Sequence, residues 1–480
     1  MTLDPQDWPA VRATGHRMID DMLDWQASIR DRPPWQPVPD DVKRRIAAPV
    51  PHAGEPLDQV YDAFVRDVLP YPTGNGHPRF WGWVMGTGSP TGMLAEMLAA
   101  GMNCHLAGYD QSAALIEKTV IAWLKELMGF PASASGLLVS GGTAANLNGL
   151  LAARVAKAGW DIRADGLNAG PPLVVYGSRE THSWAGKACE TMGMGRKAFH
   201  AVAADSDYRL DIAACRAAIL ADIAAGRRPF AIIGNVGTVN TAAVDDLHAI
   251  RALADDFGLW FHIDGAFGSM AAWSASRDLV AGQELADSIA FDLHKWGYMP
   301  YEVGVVLTRD ADAQLAAFQP AGTAAYLASS QKGISADTTY FADRGLQLSR
   351  GFRALKVWMA MKEQGVDRIG AAIQANIDQA HYLAGRVKTT PGLELLAPVA
   401  MNIVCFRYAP DGFDAARLNP LNQAILTELQ LRGIAVPSQT VLDGRFAIRV
   451  CITNHRSELS DFDMLIDAVL AIGAELAAGA

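Results

Sequence analysis

The sequence predicts an α/β protein built on a mostly parallel central sheet, covered by helices on both faces. Three observations carry this. Between residues 136 and 310, short apolar runs (GLLVS, PLVVYG, FAIIGN, LWFHID, SIAFD, VGVVL) are separated by segments of helical period such as TAANLNGLLAARVAKAG and VDDLHAIRALADDFG. The runs are nearly continuously apolar, which marks strands buried on both faces. The alternation of strand and helix implies βαβ units and hence parallel pairing.

The flanks read differently. Residues 1–30 carry apolar positions at helical spacing, and LDQVYDAFVRDVL (57–69) is a second amphipathic helix. Between them, 32–56 is rich in Pro and charge and reads as an extended arm. HPRFWGWVMGTGSPTG (77–92) is dense in Trp and Gly and fits a pocket wall or a subunit contact better than a regular element. Helices return over 348–388. LEL, MNIVCFRYA, a helix at 418–433, the strand RFAIRVCIT and a helix at 457–474 then make a small α/β lobe. The expected organisation is a helical segment over 1–85, a large domain over 86–375 and a small domain over 376–480.

Composition bounds the function. The chain has 480 residues, enough for two or three lobes. Half are hydrophobic and 19% charged, a globular balance. A net charge of −10 argues against nucleic acid or an anionic membrane as partner. No run of eighteen apolar residues suggests a membrane span, and the acidic N-terminus does not read as a secretion signal. Cys104, Cys189, Cys215, Cys405 and Cys451 are scattered, without metal-ligand spacing, so no metal site and a reducing, cytoplasmic location are expected.

Four motifs carry chemistry. SGGTAANLNG (140–149) follows an apolar strand and opens a helix. Glycines there let a phosphate approach backbone N–H groups, and Thr143 adds a hydroxyl. By itself the stretch is equally an ordinary strand-to-helix turn. HIDGAFG (262–268) ends a buried strand with Asp264, a carboxylate that needs a cation or several donors, or serves as a turn cap. FDLHKWGYMPYEVG (291–304) places Lys295 past another buried strand. Desolvation would lower its basicity and make it a nucleophile able to form a Schiff base, whereas a plain strand-end lysine would reach out to water. His182 follows the strand PLVVYGS directly. Together, a phosphate cradle, a buried aspartate and a nucleophilic lysine on one parallel sheet match pyridoxal 5′-phosphate. That cofactor needs an anchored phosphate, an anion at its ring nitrogen and a lysine at its aldehyde.

Those residues, with HPRFWGWV, LSRGFRALKVWM and RFAIRVCI, give a chain that resembles the group II pyridoxal-phosphate decarboxylases, and most closely their aromatic-L-amino-acid branch. The resemblance spans nearly the whole chain. It implies the fold-type I architecture of pyridoxal-phosphate-dependent transferases, and a homodimer with sites at the interface and the N-terminal segment packed on the partner. It implies that Lys295 holds the cofactor as a Schiff base, that Asp264 pairs with the ring nitrogen, and that Ala266 lies under the ring. His182 would stack on the opposite face. Gly142, Thr143 and His294 would bind phosphate, with Asp292 ordering that turn, and Thr238 would bond to the ring hydroxyl. The implied reaction is decarboxylation of an L-amino acid to its amine, through an external aldimine and a quinonoid.

In this family a loop tyrosine donates a proton. In SADTTYFADRGLQLSRGF (335–352), alignment without gaps puts Phe341 at that place, while a slip of one residue, easy in a loop, puts Tyr340 there and makes it the candidate donor. Phenylalanine is associated with relatives that release aldehyde, ammonia and peroxide, so an aldehyde synthase is the first rival and another fold-type I enzyme, such as an aminotransferase, the second. For the substrate, the resemblance points to Trp83 and Val84, with Met102 and Tyr109 from the partner, and to Arg449 for the α-carboxylate or a structural ion pair. An aromatic wall suits an aromatic side chain, or it packs the dimer interface.

Overall fold

The computed structural model describes residues 2–322, 332–336 and 339–478. Its strands are β1 (Phe80–Trp81), β2 (Ser135–Val139), β3 (Leu173–Ser178), β4 (Phe199–Val202), β5 (Arg228–Asn235), β6 (Trp260–Asp264), β7 (Ser288–Asp292), β8 (Gly304–Thr308), β9 (Leu393–Leu395), β10 (Ile403–Tyr408), β11 (Val436–Leu442) and β12 (Arg445–Cys451). A seven-stranded sheet has the order β2-β8-β7-β6-β5-β3-β4. The pairs β3/β4, β3/β5, β5/β6 and β6/β7 are parallel, as the apolar runs predict. β2, β3, β5, β6, β7 and β8 are buried at nearly every position. β8 alone runs the other way, antiparallel to both β7 and β2. The reason is local: residues 293–303 contain no helix to carry the chain back over the sheet, so it returns as a hairpin does. That return leaves the C-terminal ends of β2, β5, β6 and β7 at one edge, where ligands of such sheets bind.

Local signals set the helix ends. Asp246 accepts from the Ala249 N–H at the start of Leu247–Phe257, and Gly258 closes that helix with φ 65°, a left-handed conformation that suits glycine. The helix Gly142–Lys157 starts at the cradle and packs over β8 and β7. The arm over 32–56 is not wholly extended: Asp40–Ile46 forms a helix after Pro39, with Asp40 and Asp41 in its first turn and three cations in its last. That charge order complements the helix dipole, which the pattern of prolines hides. Short, half-exposed β4 carries no clear apolar signature.

The small sheet has the order β1-β11-β12-β10-β9. β1 comes from the Trp/Gly-rich stretch and pairs parallel with β11. Trp81 is fully buried there, stacked on Phe462 at 4.8 Å, with its indole N–H on Ser457. The expected boundary at 375/376 falls inside one helix, Val366–Thr389. Ile369, Ile373 and Ile377 pack in the large core, while Ala380, Leu383 and Val387 pack in the small one. The N-terminal arm docks on the small lobe through Arg30, which reaches Asp461 at 2.8 Å and the Arg456 carbonyl at 2.7 Å. Along 57–68, Leu57, Val60, Val65 and Val68 remain exposed, an apolar face left uncovered among the described residues.

Candidate active site

Parallel register puts Asn235 beside Asp264 at the ends of β5 and β6, and Asp264 beside Ala290 on β7. Above these ends lies a cavity of about 410 Å³. Its walls include Ser140, Gly141, Gly142 and Thr143 from the cradle, His182 and Trp184 after β3, Asn235 and Gly237 after β5, and Asp264 and Ala266 after β6. Asp292, His294, Lys295, Tyr301 and Glu302 come from the end of β7 and the link to β8, and Val84 from the Trp/Gly-rich stretch.

The cradle needs its glycines for steric reasons. A Cβ on Gly142 would stand 2.8 Å from Asp292 Oδ2, and one on Gly141 3.2 Å from the His294 ring. Gly304, opposite, would bring a Cβ to 2.6 Å from the Gly141 Cα. The turn therefore lies flat against the β7–β8 link, and the helix Gly142–Lys157 begins facing the cavity. Free N–H groups at such a helix start suit an anion.

Lys295 Nζ lies 2.7 Å from Asp292 Oδ2, whose carboxylate is 1% exposed. Burial alone would lower the ammonium's pKa, but Asp292, Asp264 and Tyr301 outweigh it and the net shift is upward. This corrects the expectation that the lysine is made less basic by desolvation: the buried counter-ion decides the sign. His294 is pulled down by burial, partly offset by Asp292; its Nδ1 sits 3.0 Å from the Val303 carbonyl, and its ring lies 4.5 Å from that of Tyr301. His182 is also lowered by burial, against the opposing pull of Asp264. Its Nδ1 accepts the Trp184 backbone N–H at 3.2 Å, so the neutral ring carries its proton on Nε2.

Asp264 is 7% exposed and has two donors. The Ala266 N–H reaches Oδ1 at 3.1 Å and the Trp184 indole N–H reaches Oδ2. A basic amine, a hydrogen-bonded carboxylate and an anion cradle thus meet in one cavity of a size that holds a small cofactor. These residues fit pyridoxal phosphate.

Comparison with known proteins agrees. The sequence pattern described as "Pyridoxal-dependent decarboxylase conserved domain" matches residues 39–409. The chain belongs to the pyridoxal-dependent decarboxylase family. It is an amino-acid decarboxylase whose cofactor is pyridoxal 5′-phosphate. It is 32% identical to an aromatic-L-amino-acid decarboxylase of Bacillus atrophaeus, over 97% of this chain and 96% of that one. It is 30% identical to a phenylacetaldehyde synthase of Arabidopsis thaliana, over 94% and 93%. A crystal structure of Oryza sativa TDC with PLP and tryptamine superposes with a TM-score of 0.90 at 25% identity, covering 99% of this chain and 100% of that one.

Not every expected residue reaches this decarboxylase's cavity. Thr238 is 1% exposed, and its hydroxyl accepts the Ala243 N–H at 3.0 Å and lies 3.1 Å from Thr241. Arg449 is consumed by oxygens of the fold: the carbonyls of Trp83 (2.7 Å), Val239 (2.6 Å) and Asn240 (3.2 Å), and Ser438 Oγ (3.1 Å). It thereby ties the Trp83 loop to the small lobe, through carbonyls rather than an ion pair. Trp83 and Met102 are exposed, Tyr109 is partly buried, and none of the three lines the cavity of its own chain. Phe341 is 1% exposed in the core, with the Arg350 guanidinium 5.2 Å from its ring, so it is packed away from the cavity. Tyr340 packs against Gly108 and Tyr109, its ring 6.2 Å from the Tyr109 ring. Residues 337 and 338 of that loop lie outside the described residues.

Sequence reasoning missed Trp184, Asn146, Asn235, Tyr301 and Glu302, all of which line the cavity. Asn146 lies in SGGTAANLNG, Tyr301 and Glu302 lie in FDLHKWGYMPYEVG, Asn235 ends the run FAIIGN, and Trp184 stands two residues past His182. Position within the motif was the available signal.

Proposed function

We propose that the chain decarboxylates an aromatic L-amino acid to its amine and carbon dioxide, as a cytoplasmic homodimer. The supporting observation is the single cavity that gathers Lys295, Asp264 and the Gly141–Thr143 turn. In this reading Lys295 Nζ holds the cofactor's aldehyde carbon, Asp264 faces its ring nitrogen, Ala266 and His182 enclose the ring, and Gly142, Thr143 and His294 take the phosphate. Asp292 orders the turn and, before the cofactor arrives, keeps Lys295 charged. The bound cofactor supplies an electron sink for the bond to the departing carboxylate. The chain's own part is to orient that bond, exclude water and hold protons. His182 stands at the cavity wall with its Nε2–H available, and Asp264 is held in orientation by its two donors.

The aromatic assignment draws on Val84 and Tyr301 in the wall, on exposed Trp83 beside them, and on the aromatic-L-amino-acid decarboxylase relative. The dimer draws on exposed Val60, Val65, Val68, Met97 and Met102, whose burial would stabilise an interface. Tyr340 and Tyr109 touch, so we assign them, with Met102, to one patch that completes the partner's cavity and brings Tyr340 as proton donor. The cytoplasmic location draws on five unpaired thiols.

A second reading has two observations in its favour: Phe341 stands where a gap-free alignment places the family's tyrosine, and an aldehyde synthase is among the relatives. A panel of aromatic, basic and acidic amino acids, assayed together for carbon dioxide, amine, oxygen uptake and peroxide, tests both. Amine without oxygen uptake supports decarboxylation alone, and stoichiometric peroxide moves the assignment to the aldehyde synthase. Turnover confined to non-aromatic substrates would overturn the substrate class. Sedimentation that shows a fully active monomer would overturn the dimer.

A further inference from the structure

Trp184 opens the helix Trp184–Thr191 and is 3% exposed. Its indole N–H donates to Asp264 Oδ2, while Oδ1 takes the Ala266 N–H. An indole N–H can only donate and does not titrate, so its partner must keep a free lone pair at that spot. Here the partner is the carboxylate that our reading sets against the cofactor's ring nitrogen.

The indole itself is braced. Its ring stands edge-on to His262, centroids 5.9 Å apart at 80°. His262 Nε2 lies 2.8 Å from Asn146 Oδ1, an acceptor, so Nε2 carries the proton. Its Nδ1, 2.7 Å from Ser288 Oγ, is then the acceptor, and the serine hydroxyl donates to it. Ser288 Oγ accepts in turn from the Trp260 indole at 2.8 Å. Burial holds His262 down to about 4, so this platform is uncharged across the neutral range. Gly149 lets it close, since a Cβ there would stand 2.6 Å from the His262 ring. The result is a rigid, neutral brace that places one hydrogen-bond donor on one carboxylate oxygen.

We infer that Trp184 is a positioning residue: through its indole N–H it fixes the orientation of the Asp264 carboxylate, and so sets how strongly the chain holds the cofactor's ring nitrogen. The inference rests on the reading of Asp264 given above. A structural role alone would make Trp184 a core side chain whose N–H found the nearest acceptor.

The two roles separate in binding to the apoprotein. The probes are pyridoxal phosphate and its carbocyclic analogue, with C–H in place of the ring nitrogen, titrated into wild type and Trp184→Phe and followed by cofactor absorbance. Phenylalanine keeps an aromatic ring against His262 and removes the donor. The variant should bind pyridoxal phosphate roughly ten-fold more weakly, the size of a lost hydrogen bond to a charged group. It should bind the analogue nearly as wild type does. Equal weakening of both probes, or of neither, would overturn the inference. A wild type that does not prefer pyridoxal phosphate over the analogue would overturn the reading of Asp264 first, and the inference with it. Should Trp184→Phe fail to fold, the isosteric residue with sulfur in place of the indole N–H at position 184 gives the same comparison.

Discussion

The floor of the cavity and its mouth are built in opposite ways. The floor lies at the ends of β5, β6 and β7, where Asn235, Asp264 and Asp292 are all under 10% exposed. Lys295 there forms an ion pair with Asp292, Asp264 takes the N–H groups of Trp184 and Ala266, and Asn235 meets Asp245. At the mouth, Trp83 stands in solvent next to Val84 of the wall, while Met102, Tyr109 and Tyr340 lie outside the cavity of their own chain, the two tyrosines leaning on each other. A finished floor and an unfinished mouth indicate a division of labour. One chain fixes the chemistry, because buried charges cannot be left unpaired. In the reading proposed above, the choice of substrate falls to apolar side chains that a partner subunit covers.

The strongest way to break the floor is Lys295→Ala. Turnover should fall by at least about 10³-fold, as when a covalent nucleophile is removed, and the absorbance of bound cofactor should be lost. A variant that keeps the absorbance would remove Lys295 from the anchoring role. Next in size is Gly142→Ala, whose Cβ would meet the Asp292 carboxylate at 2.8 Å. Cofactor affinity, read by titrating the apoprotein, should drop on the order of ten-fold as the turn is pushed off its neighbour. Unchanged affinity would mean that the turn yields and the cradle is not tight.

Asp292→Asn sharpens the floor's electrostatics. Asp292 helps raise the Lys295 pKa, so without it the amine loses its proton at lower pH. The midpoint of the pH profile for cofactor capture by the apoprotein should move down by about one unit, in line with the loss of one buried counter-ion. The stability from this pair follows the same sign. It is fully present below the ordinary lysine value of about 10.4 and is lost as pH rises through the higher folded value. Wild-type apoprotein should therefore lose more of its melting temperature above that pH than the variant does. A profile that stays in place would show that another group sets the charge on Lys295. The smallest effect belongs to the mouth. Trp83→Ala should change KM between aromatic and aliphatic amino acids by roughly three- to ten-fold, with kcat little altered, the range of an apolar pocket contact. A fall in kcat for every substrate alike would place Trp83 with the floor.

Much of the floor was legible in the sequence. Apolar runs with helices between them allow little but a parallel, doubly covered sheet, and Asp264 and Lys295 then fall at strand ends by position. The cradle is written into SGGT, because its glycines answer a close backbone approach. The mouth was less legible. Trp83, Met102 and Tyr109 are named by resemblance, and none of them lines the active-site cavity of its own chain. Thr238 and Arg449 sit where the sequence suggests, yet their hydrogen bonds turn inward to Ala243 and to the carbonyls of Trp83, Val239 and Asn240.

The sequence by itself determined the layer architecture, the order of the motifs along the chain and the cofactor chemistry they imply, since periodicity and residue type act locally. Only the tertiary structure decided three other things. It reversed β8, because the link from β7 holds no crossover helix. It raised the basicity of Lys295 where desolvation alone would lower it, because Asp292 is brought to 2.7 Å. And it set Trp184 on Asp264, from an element 80 residues away. Charge sign and hydrogen-bond partnership depend on distance in space, which a one-dimensional pattern does not carry.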